Sequence, residues 1–401
     1  LARVDYLPDY IFSEDPWPIS LALPVGFAPP APGGPPRAPA FLYDLVPQGR
    51  GRRLLLQLLE RKDDDRLVLP LVLAGAFNPV GALRVDQAVA FFDEHTRRNP
   101  PAPGADAGFT RAQLATRAEP VLEHLSTYAL LASGSTGVQG VSPKYLLTED
   151  AGGRLHADAA LPDGQARRHW LVKGPRNASD EDRAVLRNEA AYLRVAAACG
   201  LRVHEVESVA HENHLLYLPR FDRIAGPDGV QRLHQESLAS LVGLAGFGLP
   251  CSLNQLLAAL RRHASDPAAD TLEFLRRDVL NQALRNTDNH ARNHAVQRLP
   301  DGRVQLTPLY DFAPMFLDPE LVPRSTHWVD AGGRRLHAWR DVLDALELAP
   351  AEHDAARDAL RAFAQVVERL PDTMRDQGVD AAVTEACRAS IDAQAGQLGA
   401  L

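Results

Sequence analysis

Cysteine is scarce in this chain: three among 401 residues, Cys199, Cys251 and Cys387, far apart. That excludes a disulfide framework or a thiolate-rich zinc site and fits a reducing, cytoplasmic setting, with the three thiols read as small buried hydrophobes. Long apolar runs are missing too. The longest stretch, around Leu67 to Phe77, is interrupted by Pro70 and Gly75, so no membrane span is expected. The chain begins at Leu1, as a processed or truncated product would, and shows no secretory signal pattern. Nor is positive charge in excess. With 43 basic and 51 acidic residues the formal net charge is −8, which argues against a chain that grips nucleic acid through a global positive field.

Several catalytic signatures are likewise absent. There is no Gly-Lys-Ser/Thr ending of a Walker loop, no His-Glu-x-x-His and no Gly-x-Ser-x-Gly elbow. The pairs His290/His294 and His211/His214 lack the third ligand and general base that a zinc enzyme needs.

What is present is 45% hydrophobic content, enough to bury real cores in two or three domains. A proline-rich stretch from Pro24 to Pro39 reads as an extended loop. After it, leucines at helical spacing between Arg52 and Arg61, and strand-like material from Leu67 to Val85 broken at Asn78-Pro79, suggest a small α+β subdomain over residues 1–105. Residues 98–108 read as a linker. Residues 130–225 alternate short β-like runs (Tyr145 to Thr148, His169 to Val172, Leu215 to Leu218) with one strong helix, Asp180 to Cys199. That helix has Ser179 as its N-cap, three acids in its first turn and Gly200 just past its end. Residues 230–401 read as all-helical, with helices over Gln235 to Ala245, Leu253 to His263, Thr271 to Leu284, Ala351 to Leu370 and Asp380 to Leu398. No repeat of fixed period occurs.

The densest polar cluster is Asn286-Thr287-Asp288-Asn289-His290-Ala291-Arg292-Asn293. Asn and Asp are common in solvated loops, so the cluster alone is ambiguous. A carboxylate followed five residues later by an amide is also what a phosphotransferase requires, one group orienting the nucleophile and the other holding a metal. Eighteen residues after Asn293, the strand-like Val304 to Leu306 runs into Leu309-Tyr310-Asp311-Phe312-Ala313-Pro314, an Asp-Phe pair like a kinase metal-binding element, with Ala313 where that element has glycine. Upstream, Trp170-Leu171-Val172-Lys173 is a strand ending in lysine, and Glu189 follows sixteen residues later inside the strong helix. Further upstream, Ser133 to Gly140 is a glycine-rich stretch whose amides could wrap phosphate oxygens.

Taken in order, GVQ…PKYLL, WLVKGP, NEAAYLRVA, RFDR, NTDNHARN and LTPLYDFAP resemble the HipA family of bacterial serine/threonine kinases, toxins of type II toxin–antitoxin systems. The likeness is strongest from Ser133 to Pro314, and FLYDLVPQGRGRRLL and VGALRV are similar to the small subdomain that precedes the kinase core in that family. The resemblance implies an α+β, bilobal, protein-kinase-like fold: an N-terminal subdomain (1–105), a nucleotide-binding lobe (130–225) and a helical lobe with the catalytic loop (230–401). It implies ATP and Mg²⁺ as cofactors, Asp288 as the catalytic carboxylate, Asn293 and Asp311 as metal ligands, and Lys173 on the ATP phosphates with Glu189 orienting it. Gly137, Val138 and Gln139 would lie over the phosphates. His290 would either touch the γ-phosphate or brace the loop, and backbone near Leu218 to Phe221 would hydrogen-bond adenine with Phe221 packed nearby.

The family's regulatory serine falls at Gly134 here, leaving Ser133, Ser135 and Thr136 as neighbouring candidates for the autophosphorylation that silences the kinase. Pro219 stands where some relatives have an acidic residue. The implied partners are a protein substrate, an aminoacyl-tRNA synthetase or other translation factor, and a HipB-like DNA-binding antitoxin. Two other readings stay open. One is a small-molecule kinase of the aminoglycoside or choline type, whose usual His would stand at Asn286; the other is a non-catalytic partner or corepressor of the antitoxin.

Overall fold

Val68, Leu71, Val72 and Gly75 are all buried, and spacings of three and four residues put them on one side of a helix. Residues 67–85, expected as strand, accordingly contain helix Val68–Gly75. Pro70 is tolerated because it stands in the first turn, where no intrahelical acceptor awaits its missing N–H. We label this helix α2; α1 is Gly49–Leu58 and α3 is Asp86–Arg98. A Cβ on Gly75 would overlap the side chains of Pro47 and Leu55, so glycine here lets α1 and α2 approach closely. Phe77 and Phe92 stack with ring centroids 4.1 Å apart in the same core.

The structure, a computed structural model, describes residues 4–27, 38–100, 107–116, 121, 143–158, 160–176 and 179–401. Among the described residues before 107 no strand forms, so the expected β component of that segment is not seen there. The chain falls into two compact units.

The first unit comprises Leu1–Gly174, Tyr217–Leu249 and Gln297–Gly302. Besides α1 to α3 it contains strands β1 (Lys144–Asp150), β2 (Leu155–Ala157) and β3 (Ala166–Lys173), and most of β4 (Leu215–Pro219), arranged β2-β1-β3-β4. β1 pairs antiparallel with both neighbours, and Tyr145 opposite Val172 sets the β1–β3 register. Beyond them, the helix expected over Gln235 to Ala245 is instead a strand, Gln235–Ser237, and one helical turn, Leu238–Leu241, capped by Ser237. Three residues of strand change the path because Glu236 turns inward, as described below.

Two buried polar clusters hold this unit. Arg220 donates to Asp158 (2.6 Å) and Asp222 (2.7 Å); Arg223 donates to Asp222 (2.6 Å) and to the carbonyls of Pro79 (2.8 Å) and Gly81 (2.7 Å). The Gly81 N–H returns a bond to Asp222 at 2.8 Å, with Gly81 at φ +91°. Burial alone would raise the Asp222 pKa; Arg220 and Arg223 outweigh it and hold the carboxyl well below the ordinary carboxylate range. In the second cluster Glu236 accepts from Ser20 Oγ (2.6 Å), Leu21 N–H (2.8 Å) and Ser240 Oγ (2.6 Å). No cation is among these partners, and burial pushes its pKa up to about 7 against their opposing pull.

The second unit comprises Pro175–Leu216, Pro250–Val296 and Arg303–Leu401. Its helices are α4 (Asp180–Ala198), α5 (Leu253–His263), α6 (Pro267–Ala283), α7 (Pro350–Glu368), α8 (Leu370–Asp376) and α9 (Ala381–Gly399). Ser179 caps α4 by accepting from Asp182 N–H at 3.2 Å. Gly200, at φ +82°, ends it in a pair of reversed bonds: Gly200 N–H to Ala197 and Leu201 N–H to Ala196. The segment 230–401, expected as all-helical, also carries short strands, among them Cys251–Ser252 paired parallel with Thr326–His327.

Two measurements check this account. Asp222→Asn should lower the unfolding free energy by about 3–5 kcal/mol in urea titration, because it leaves two buried arginines short of their counter-charge. For Glu236, a carboxyl raised in the folded state, the contribution is fully present below the unfolded pKa and is lost as pH rises through about 7. Glu236→Gln should therefore remove a stability loss of up to about 3 kcal/mol between pH 4.5 and 7, read from melting curves against pH.

Candidate active site

Helix α6 is the base on which the site is built. It ends with Arg285 in the left-handed region (φ +54°), the Arg285 N–H pointing to Gln282 O (3.4 Å) and the Asn286 N–H to Asn281 O (2.9 Å). This reversed closure turns the chain into residues 286–290, which form no regular secondary structure, and then a single 3-10 turn, Ala291–Asn293. On its buried face α6 carries polar side chains among apolar ones. Arg277 donates to Glu273 (2.8 Å) and to Thr307 O (2.8 Å), and Asp270 accepts from Leu306 N–H (3.0 Å). These bonds hold strand β6 (Val304–Leu306), which follows β5 (Ala295–Arg298) in the hairpin leading to Asp311.

The polar cluster folds onto itself. Asn293 Nδ2 donates to Asp288 O at 2.7 Å, and Asn293 N–H to His290 O at 2.9 Å. With its nitrogen engaged in the loop, the Asn293 amide presents its oxygen away from that bond. His290 Nε2 lies 3.8 Å from Asp288 Oδ1. Two bonds join this loop to the segment of Asp311: Asn286 Nδ2 to Asp311 O (3.4 Å) and Tyr310 Oη to Arg292 O (2.8 Å). Asp311 takes φ +50°, a conformation uncommon outside glycine, asparagine and aspartate. Behind it Phe312 is buried against Tyr192 of α4, ring centroids 5.4 Å apart, and Tyr192 Oη donates to Leu284 O at 3.0 Å. Helix α4, which carries the buried Glu189, is thus packed on the Asp311 segment and on the start of the loop.

Asp288, His290, Asn293, Asp311 and Glu189 all belong to the second unit. Lys173 ends β3 in the first unit, buried, opposite Lys144. Phe221 is half-buried in the first unit, and the neighbouring Arg220 N–H donates to His169 O at 2.9 Å. That amide is thereby bonded to β3. The side chains of Arg220, Asp222 and Arg223 serve the buried ionic cluster. Gly137, Val138, Gln139, Ser133, Ser135 and Thr136 lie outside the described residues.

The carboxylates of Asp288 and Asp311 and the amide oxygen of Asn293 are hard oxygen donors, the set that suits Mg²⁺ rather than a soft metal. Among the described residues no group of three His, Cys, Asp or Glu side chains gathers as a metal cluster. Also among the described residues, no helix is long and apolar enough to cross a membrane.

Residues 136–374 match the HipA-like C-terminal domain family. The chain is similar to HipA from the Shewanella oneidensis MR-1 toxin–antitoxin complex of HipA, HipB and operator DNA. The TM-score is 0.66 at 18% identity, over 98% of this chain and 92% of that one. It also matches the Helicobacter pylori proinflammatory kinase CtkA, with TM-score 0.36 and 14% identity over 59% of this chain and 90% of that one. The fold is the α+β, protein-kinase-like fold expected from the sequence.

One set of residues escaped the sequence reading. Asp278 of α6 is buried and accepts from Asn289 Nδ2 (3.1 Å), Gln282 Nε2 (3.0 Å), Trp328 Nε1 (2.8 Å) and the Arg324 guanidinium. The available signal was an acid four residues after Phe274 and next to Val279, on the apolar stripe of a helix. His294 belongs to the same array. Its Nε2–H donates to Asn289 Oδ1 at 2.7 Å, the tautomer a carbonyl oxygen requires. Burial, then the positive charges of Arg277, His290 and Arg324, push its pKa down to about 3. His294 should stay neutral across pH 5 to 8, so its imidazole ¹⁵N resonances should show no titration there; an inflection near pH 6.5 would contradict the array.

Proposed function

Because the chain belongs to the family defined by the HipA-like C-terminal domain, we propose that it is an ATP- and Mg²⁺-dependent protein Ser/Thr kinase, the toxin of a toxin–antitoxin pair. The observation that carries the reading is the junction of the 286–294 loop with the Asp311 segment. Asn286 and Tyr310 bond across it, and the two segments that carry Asp288, Asn293 and Asp311 belong to one unit, which supports the reading.

Bound Mg²⁺·ATP would supply the phosphoryl group and neutralise charge as it spreads over the transferring oxygens. Asn293 Oδ1 and the Asp311 carboxylate are the groups that would hold the metal. Asp288 orients a substrate hydroxyl and receives its proton on a carboxylate oxygen, while His290, near that carboxylate, braces the loop or meets the γ-phosphate. Lys173 supplies a positive charge to the phosphates, and Glu189 is the residue that would orient it. Positioning and fixed charge, rather than covalent chemistry, provide the rate. We assign nucleotide binding to residues 130–225, the catalytic loop to 230–401 and an accessory role to 1–105.

Two partners follow from the same reading. One is a protein substrate bearing the accepting hydroxyl, with a translation factor such as an aminoacyl-tRNA synthetase as the first class to examine. The other is a HipB-like DNA-binding antitoxin, supported by the match to a HipA bound to HipB and operator DNA.

The test is incubation of the purified protein with Mg·ATP and a cell lysate, followed by phosphopeptide identification. Wild type should add phosphate to serine or threonine of a small set of proteins. Asp288→Gln should lower transfer by about 10²–10⁴-fold while retaining nucleotide binding. Undiminished ³²P transfer by that variant would remove Asp288 from its role.

A further inference from the structure

Asn289 sits between Asp288 and His290, and it is held at both ends. Its side chain lies between Asp278, which accepts from Nδ2 (3.1 Å), and His294, which donates to Oδ1 (2.7 Å). Its carbonyl accepts from Thr326 Oγ1 (2.6 Å) and Ser325 Oγ (3.3 Å). Residues 324–328 are in turn attached to Asp278, since Arg324 and Trp328 Nε1 both donate to its carboxylate. One buried carboxylate therefore ties three stretches of chain together: helix α6, the loop that carries Asp288, and the segment that follows Asp311.

All four side chains on Asp278 are donors, and an ionised carboxylate is an acceptor at both oxygens. No neutral isostere matches that array. An asparagine at 278 would turn its NH₂ toward donors and leave the half-buried Arg324 without its counter-charge, a mismatch felt where Asn289 is held.

We propose that Asp278 is a positioning residue for phosphoryl transfer: it fixes Asn289, and through Asn289 the backbone of Asp288, and makes that placement conditional on the docking of residues 324–328. Asp278 itself touches neither nucleotide nor acceptor. The proposal rests on the kinase reading for its kinetic consequence and on geometry alone for its effect on the loop.

Asp278→Asn, Thr326→Val and the double swap Asp278→Asn/Asn289→Asp separate the possibilities. The swap re-forms one donor–acceptor pair with its direction reversed, the amide at 278 donating to the carboxylate at 289. In Asp278→Asn, kcat for Mg·ATP-dependent transfer should fall about 100-fold, the loss expected of roughly an ångström of misplacement. KM for ATP should stay within about threefold, since nucleotide binding does not use Asp278. The double variant should regain about tenfold of the lost kcat, and Thr326→Val should show the same pattern at smaller size.

Amide hydrogen exchange is read on the same proteins. Residues 286–294 should exchange faster in Asp278→Asn and recover in the double variant, with α9 unchanged. Unaltered kcat and unaltered loop exchange would overturn the proposal. So would a rise in exchange across the whole second unit, α9 included, with no recovery in the swap, because Asp278 would then be only a stabiliser of the fold. If Asp278→Asn does not fold, Thr326→Val decides by the same two readouts. A wild type that transfers no phosphate at all would sink the kinase reading, while loop exchange would still judge Asp278.

Discussion

A carboxylate buried among hydrogen-bond donors is the constraint around which the second unit is organised. Burying the Asp278 carboxyl would cost the unit heavily unless its oxygens were satisfied, and the groups that satisfy it come from its own helix, from the polar loop and from residues 324–328. The requirement to pair one buried charge thus dictates where two loops must lie. Loops usually inherit their positions from the elements at their ends. Here a polar loop is anchored at its middle, at Asn289, between Asp288 and His290.

Helix α6 performs this anchoring through polar side chains that are themselves buried. Asp270, Glu273 and Arg277 secure the hairpin that delivers Asp311, while Asp278 secures the loop that delivers Asp288 and Asn293. The two deliveries meet through Asn286 and Tyr310, so the geometry at the junction depends on one rigid helix rather than on two independent loops. In the first unit the same logic is used for structure alone. Arg220, Asp222, Arg223 and Asp158 pair with one another where they are buried, and in doing so they clamp the 78–81 turn to the strand end beside Pro219.

Local chemistry made several elements readable in advance. The α4 helix announces itself through Ser179, its acidic first turn and Gly200, and its bounds in the structure follow those marks. Val304–Leu306 and the three strands at 145, 169 and 215 were legible from β-branched and aromatic runs of the right length. The error at 67–85 has a plain cause: a leucine- and valine-rich run has similar hydrophobicity whether it forms a buried strand or a buried helix. Only its packing against α1 and α3, with Gly75 pressed on Pro47 and Leu55, separates the two. Gln235 to Ala245 was misread for a related reason. The inward turn of Glu236 toward Ser20, more than two hundred residues away, is invisible to any local window.

Sequence alone determined the residue types and their order: a lysine closing a strand, a glutamate inside a capped helix, and a carboxylate and an amide five residues apart ahead of an Asp-Phe pair. These follow from side-chain chemistry and short-range spacing, which are properties of neighbouring residues. Tertiary structure alone decided which of those groups become neighbours, and which silent residues hold them there. Asp278, Arg324 and Trp328 carry no motif; they matter because folding removes a charge from water, and the chain must then bring distant donors to it.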